Sequence, residues 1–362
     1  MSKVIIRRAD EGLREIISDV FDAFGVELQG KKVLVKPNIV AAFPPGSGVC
    51  TSPEVVEAVV SEALDRGGDV VVGDNPGGVD RSSYATAERA GIVAASRGRF
   101  RNISEQVVRV PTDSPYTDEF VISRVVLEAD VVINLPCFKT HVLTTITGAI
   151  KNVYGYVAGT SKARLHLQAP SRRRFSEMLC DLYRVRVPDL HIMDGLLAME
   201  GNGPTHGRVR ELGLILASDD GLALDATMAR MMGIDPASVK MLAIAHERGL
   251  GELEEDKIEV VGEPLRPIPD FALPTSFSAS PAEQVVILDK LGKLVPVLKE
   301  ERCVACGDCE LNCPAGALTL DPLPVITADK CISCFCCVEL CPEGAMEVPE
   351  GVAPDLFDRM FR

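Results

Sequence analysis

A chain of 362 residues exceeds what one ordinary core supports, and at roughly 100–200 residues per domain it predicts two or three. Apolar residues at 46% and charged residues at 25% argue against disorder, and a formal net charge of -14 argues against a nucleic-acid partner. Charges at Lys3, Arg7, Arg8, Asp10 and Glu11 interrupt the N-terminus before any signal-peptide core forms. With no window near the roughly 18 apolar residues of a membrane span, the expectation is a cytoplasmic protein.

From Lys3 to about Gly262, short apolar runs alternate with amphipathic segments, which predicts an α/β domain with a largely parallel sheet and flanking helices. Val4–Ile6, Val33–Val35, Val70–Val72, Val131–Ile133, His191–Met193 and Leu214–Leu216 read as strands. Between the second and third, Ser52 reads as an N-cap and Pro53 as the first helical residue, with Val55, Val56, Val59, Val60 and Ala63 on one face before Gly67-Gly68. Further helices are predicted from Leu13, Ile16, Ile17, Val20 and Phe24, and from Leu222, Ala226, Ala229 and Met232 after the Asp219-Asp220-Gly221 turn. The basic run Arg172-Arg173-Arg174 opens another amphipathic pattern and reads as a solvated helix face. Prolines then accumulate between Glu263 and Pro281, so residues 263–296 are expected to be a linker or wrapping arm.

Polar residues gather where these strands end, the place where open α/β sheets hold ligands. Lys36, with Pro37 and Asn38, follows the second strand; Gly73, Asp74, Asn75, Pro76, Gly77 and Gly78 follow the third; Lys139, Thr140 and His141 follow the fourth. Asp194 ends the fifth, and Glu200 and Asn202 lie just beyond. Lys36, Lys139 and Lys151 are expected to converge on an anion such as a carboxylate or phosphate, with Asn38, Asp74, Asn152, Asp194 and Asn202 contributing to binding. His141, with a lysine two residues away, is expected to be a neutral proton carrier; Lys139 and Glu200 complete the candidate catalytic set. Asp225 is a further carboxylate available for acid–base work or metal binding.

Eight of the twelve cysteines repeat one spacing. Cys303, Cys306, Cys309 and Cys313 precede Pro314; Cys331, Cys334, Cys337 and Cys341 precede Pro342; Ala315-Gly316-Ala317 is answered by Glu343-Gly344-Ala345. Three thiolates two residues apart can wrap three corners of a cubane, while the fourth is too far round to close it. Cys303, Cys306, Cys309 and Cys341 are therefore expected to hold one 4Fe-4S cluster, and Cys313, Cys331, Cys334 and Cys337 the other. Zinc sites use pairs rather than triplets, and disulfides need an oxidising compartment that nothing in the chain implies. Cys336 breaks the two-residue spacing and reads as a buried filler, as do Cys50, Cys137 and Cys180.

The segment from about Val297 to Val348 resembles a bacterial-type ferredoxin with two 4Fe-4S clusters, which implies a small α+β domain with a βαββαβ-like shell over residues 297–349 and a tail at 350–362. The body resembles the family of domain of unknown function 362. The resemblance rests on Lys36-Pro37-Asn38, Asn134-Leu135-Pro136 with Lys139 and His141, Gly148 with Lys151-Asn152, Asp194-Gly195 and Met199-Glu200-Gly201-Asn202-Gly203-Pro204. It implies an iron–sulfur protein and names no reaction.

Two functions compete. An oxidoreductase would pass single electrons from the clusters to a small anionic substrate, and should show an enclosed pocket where Lys36, Lys139, His141 and Glu200 converge. An electron-relay or cluster-handling protein would show a flat face for a redox partner protein. No flavin or nicotinamide fingerprint is legible, and the sequence names neither a further metal nor an oligomeric state.

Overall fold

The computed structural model describes residues 1–77, 83–278 and 295–349, so Gly78, Pro281 and the tail lie outside the described residues. The strands of the body are β1 (Ser2–Arg8), β2 (Lys32–Pro37), β3 (Asp69–Val72), β4 (Val107–Pro111), β5 (Glu119–Ser123), β6 (Val131–Leu135), β7 (Cys137–His141), β8 (Thr145–Ile146), β9 (Leu190–Glu200), β10 (Arg208–Ser218) and β11 (Ile258–Gly262). The main sheet runs β11-β1-β10-β9-β6-β2-β3, with β7 also beside β9 and β8 beside β7. It is parallel except where β10 pairs antiparallel with β1 and β9, and β8 with β7. The predicted α/β body with a largely parallel sheet is therefore what the chain forms.

Strand residues serve two cores in strict alternation, because successive side chains leave opposite faces of the pleat. Val33 and Val35 join one core and Leu34 the other; Val131 and Ile133 separate in the same way from Val132. The first core is closed by α1 (Leu13–Phe24) and α2 (Pro53–Asp65), the second by the helices Arg172–Val185, Gly221–Met231 and Lys240–Glu247. Burying one such aliphatic side chain is worth ~1.5–3 kcal/mol. A one-residue slip would exchange the cores on every strand, which fixes the register.

Two local expectations need correction. Ser52 precedes α2 as predicted, but its side chain makes no capping bond; instead its backbone N–H donates to the Asp194 carboxylate at 2.6 Å. Arg172 is buried, not solvated: its guanidinium donates to the Val142 carbonyl at 3.0 Å, while Arg173 stays exposed and pairs with Glu177. Their helix is capped one residue earlier, by Ser171.

The described part of the proline-rich segment packs on the body. Ile268 N–H bonds to the Met231 carbonyl at 2.7 Å, and Phe271 meets Phe138 edge-on at 6.0 Å. Beyond it the small domain has the order strand Val297–Leu298, helix Asp308–Leu311, strands Leu318–Leu320 and Pro324–Ile326, helix Cys336–Glu339, strand Met346–Glu347. The first and last strands pair, as do the middle two, giving the βαββαβ shell. This domain sits on the body: Val142 enters its core, and a Cβ on Gly77 would press on Leu340 at 2.9 Å.

Candidate functional site

Two cavities in the small domain divide the eight motif cysteines. One is lined by Cys303, Cys306, Cys309 and Cys341, the other by Cys313, Cys331, Cys334 and Cys337. The duplication extends to the backbone. Ala305 and Gly307 in the first loop, and Ser333 and Phe335 in the second, take left-handed φ of 53°, 82°, 55° and 59°. Three of these four are not glycine, so each loop carries conformational strain of ~1–2 kcal/mol per such residue. Alternating left- and right-handed residues turn successive N–H groups inward and form a nest for an anion. The repeated x-Gly-Ala sequel has its own purpose: Gly316 and Gly344 turn left-handed, and the following Ala317 and Ala345 N–H groups donate to Cys313 Sγ and Cys341 Sγ, each at 3.2 Å. Such bonds favour thiolates and tune cluster potential. Among the described residues no three His, Cys, Asp or Glu side chains converge on a single-ion site. Four thiols around each cavity are a donor set that fits a cubane.

A third cavity, of about 110 Å³, lies between the body and the small domain. Asn38, Asp74, Lys151 and Asn152 line it, brought there by the ends of β2 and β3 and by the helix Gly148–Asn152. Lys162 and His166, one turn apart on the helix Ser161–Gln168, form another wall. The small domain supplies Asn312, Cys336, Glu339 and Leu340. Cys336 also lines the second thiol cavity, so one residue separates the two spaces.

Several polar groups here are unspent. Lys151 has no hydrogen bond or ion pair among the described residues. Asn75 Oδ1 and Thr147 Oγ1, on residues that line the cavity, are buried without a hydrogen-bond partner there. Buried polar atoms in such a state cost ~1–3 kcal/mol each, which favours a polar occupant. Lys162 donates to the Asn75 carbonyl and lies 5.6 Å over the Tyr154 ring. Burial pushes its ammonium down to about 8, with Asp74 opposing and Lys36 and Lys151 reinforcing.

Lys36 sits behind this surface, fully buried, its Nζ 2.8 Å from Asp74 Oδ1 and 3.0 Å from the Pro37 carbonyl. Lys139 is also fully buried, but its Nζ is spent on Asn38 Oδ1 at 2.7 Å and the Val49 carbonyl at 2.5 Å. It orients Asn38, whose amide continues a chain to Asn152 at 2.8 Å and from there to Asn134 at 2.7 Å. His141 accepts from Leu143 N–H at 3.0 Å through Nδ1, which puts the neutral ring's proton on Nε2, 3.1 Å from Glu339 Oε1. Burial, then Lys151, pushes His141 down to about 4, so it is neutral at pH 7. Burial opposes charge on Glu339, but His141 and Lys151 outweigh it and hold the carboxyl ionised, near 2.

Glu200, Asn202 and Asp194 lie elsewhere. Glu200 is bound by Arg208 and Arg210 from β10 and by Ala272 N–H at 3.2 Å. Asn202 Oδ1 accepts from Thr275 N–H at 2.9 Å, and Asp194 holds Ser52 and Leu196 N–H groups. Asp225 accepts from Ala149 N–H at 2.5 Å and Ile150 N–H at 3.0 Å, at the start of the helix that carries Lys151. The expected meeting of Lys36, Lys139, His141 and Glu200 in one pocket therefore does not occur. Lys162, His166, Tyr154 and Glu339 were not singled out from the sequence; the i,i+4 pair Lys162 and His166 was the available sign.

An α/β body joined to a duplicated thiol shell defines an iron–sulfur protein. Residues 33–230 match the family described as Domain of unknown function (DUF362), and residues 293–345 match a 4Fe-4S dicluster domain. The chain belongs to the first of these families and carries the second as its C-terminal part. It is 39% identical over 223 residues to the Thylakoid-associated protein sll1697 of Synechocystis sp., covering 61% of this chain and 69% of that protein. A structure of the lactate racemase apoprotein from Thermoanaerobacterium thermosaccharolyticum aligns with 65% of this chain and 58% of its own, at 10% identity and a TM-score of 0.35, a likeness too distant to bear on the chemistry. No described helix is long and apolar enough to cross a membrane.

Proposed function

We propose that this protein is a cytoplasmic oxidoreductase that delivers single electrons to a small anionic substrate held between the α/β body and the cluster domain. Cys303, Cys306, Cys309 and Cys341 would hold one cluster, and Cys313, Cys331, Cys334 and Cys337 the other. When bound, the clusters supply one-electron reducing equivalents. The observation that carries the reading is Cys336, which faces the second thiol cavity and the substrate cavity at once.

The chain's own residues have divisible tasks. Lys151, with no hydrogen bond or ion pair among the described residues, and Lys162 are half-buried amines whose pKa values burial lowers, and an anion in the cavity would favour their charged forms. Asn38 and Asn152, fixed by Lys139 and Asn134, present amides in defined orientations. Glu339, held ionised and backed by His141, is a hydrogen-bond acceptor at the wall.

The test is anaerobic purification followed by mass spectrometry of small molecules that copurify. A small oxyanion is expected with the native protein and absent from Lys151→Met, with both cluster spectra retained in each. If neither preparation holds a small molecule and Lys151→Met reduces the native acceptor as fast, the catalytic reading fails and a relay that docks a partner takes its place.

A further inference from the structure

The two halves of the cysteine motif have the same backbone but opposite surroundings. Cys306 and Cys334 hold equivalent positions; Cys306 is exposed, whereas Cys334 is 9% exposed, and Cys336 two residues on lines the cavity shared with the body. The second half ends at the substrate cavity through Cys336. The first half ends at solvent.

Its outer surface has a definite character. Val304, which lines the first thiol cavity, is 64% exposed, and Leu311, together with Val325 next to the cavity-lining Pro324, is exposed too. Glu300, Glu301, Glu310 and Glu343 are exposed carboxylates flanking the same loop, and Glu343 reaches the cavity lining. The adjacent cations Lys299 and Arg302 are both taken up by Glu347. An apolar spot over a redox site, bordered by carboxylates whose neighbouring cations are already paired, suits a partner of opposite charge.

We infer that electrons come in at the first cysteine loop, from a soluble one-electron carrier protein whose own redox centre is surrounded by lysines and arginines. The second loop, whose Cys334 is buried where Cys306 is exposed, is less open to such a partner. Only the destination of the electrons rests on the proposed function; the docking face does not.

The test uses the anaerobic, cluster-loaded full chain and cytochrome c, a basic one-electron carrier. Stopped-flow electron exchange with the dithionite-reduced protein is measured at low and at physiological ionic strength. Titration with redox-inactive zinc-substituted cytochrome c gives binding alone. The expected result is a rate that falls steeply with salt, and a further loss of about tenfold or more at low salt in Glu300→Lys/Glu301→Lys/Glu310→Lys. The zinc protein should bind that variant correspondingly more weakly. Reversing Glu88, Glu247 and Glu259, exposed on the body, changes net charge equally and should cost much less. Equal losses in the two triple variants, or a native rate indifferent to salt, would overturn the inference. Should the first triple variant fail to load clusters, Glu310→Lys alone decides between a partial loss and none. The readout is exchange with cytochrome c and not turnover of a small anion, so failure of this inference and failure of the substrate assignment are separable.

Discussion

At Lys162 the cavity sets function against stability. The ammonium is pushed down to about 8 by burial, held partly in place by Asp74 and Glu339 and disfavoured by Lys36 and Lys151. Because the unfolded chain binds this proton more tightly, stability from this group is lowest below pH 8 and returns as pH climbs toward the ordinary lysine value of 10.5. Lys162→Met is therefore expected to raise the melting temperature at pH 7, with the gain shrinking as the scan is repeated toward pH 10. A fall at pH 7 would mean that its bond to the Asn75 carbonyl outweighs the cost of desolvation. The sequence offered Lys162 as one more residue of a polar, helix-forming stretch. Its partial burial depends on Asn75 and on the small domain, contacts remote along the chain. Glu200 failed in the opposite sense: next to a Gly-Asn-Gly-Pro turn it read as a site carboxylate. Its Cα partner across the hairpin is Arg208, which makes it a structural ion pair. The arginines at 208 and 210 stood in the sequence, but only the β9–β10 register joins them to Glu200.

The helix Gly148–Asn152 is too short to be stable by propensity, and its position is imposed from outside. Asp225, from the helix Gly221–Met231, accepts the Ala149 and Ile150 N–H groups, and Gly148 is needed because a Cβ there would meet Asp225 Oδ1 at 2.3 Å. Asp225→Ala leaves two buried donors unpaired and is expected to cost about 2–4 kcal/mol, read from denaturant unfolding, and to displace Lys151 enough to weaken ligand retention. The cysteine loops are the other elements with a defined requirement. Cys313→Ser is expected to alter the electron paramagnetic resonance signal of the cluster held by Cys331, Cys334 and Cys337. Loss confined to the other signal would show that the quartets do not cross. Here the signal in the sequence is local, because each loop has thiols at fixed spacing and a glycine three residues after the fourth. The strands were legible for a similar reason: alternation between two cores is a local pattern. The Ser52 cap was not, since Asp194 competes from another strand.

At the scale of the molecule, the sequence separated the chain into parts correctly in kind but gave no sign of how they meet. Val142, His141 and Gly77 on the body, and Glu339 and Leu340 on the small domain, meet along one boundary. None of these contacts has a local signature. That boundary places part of the pocket wall in a domain whose fold is expected to depend on bound iron, since small cysteine-rich domains gain much of their folding free energy from the metal. By reciprocity, whatever occupies the pocket also fastens the two halves together. A molecule stripped of its iron by oxygen would lose Asn312, Cys336, Glu339 and Leu340 from the wall at the same moment as its reducing power. On the proposed function, damage would thus release a bound anion instead of leaving it trapped beside empty cluster sites.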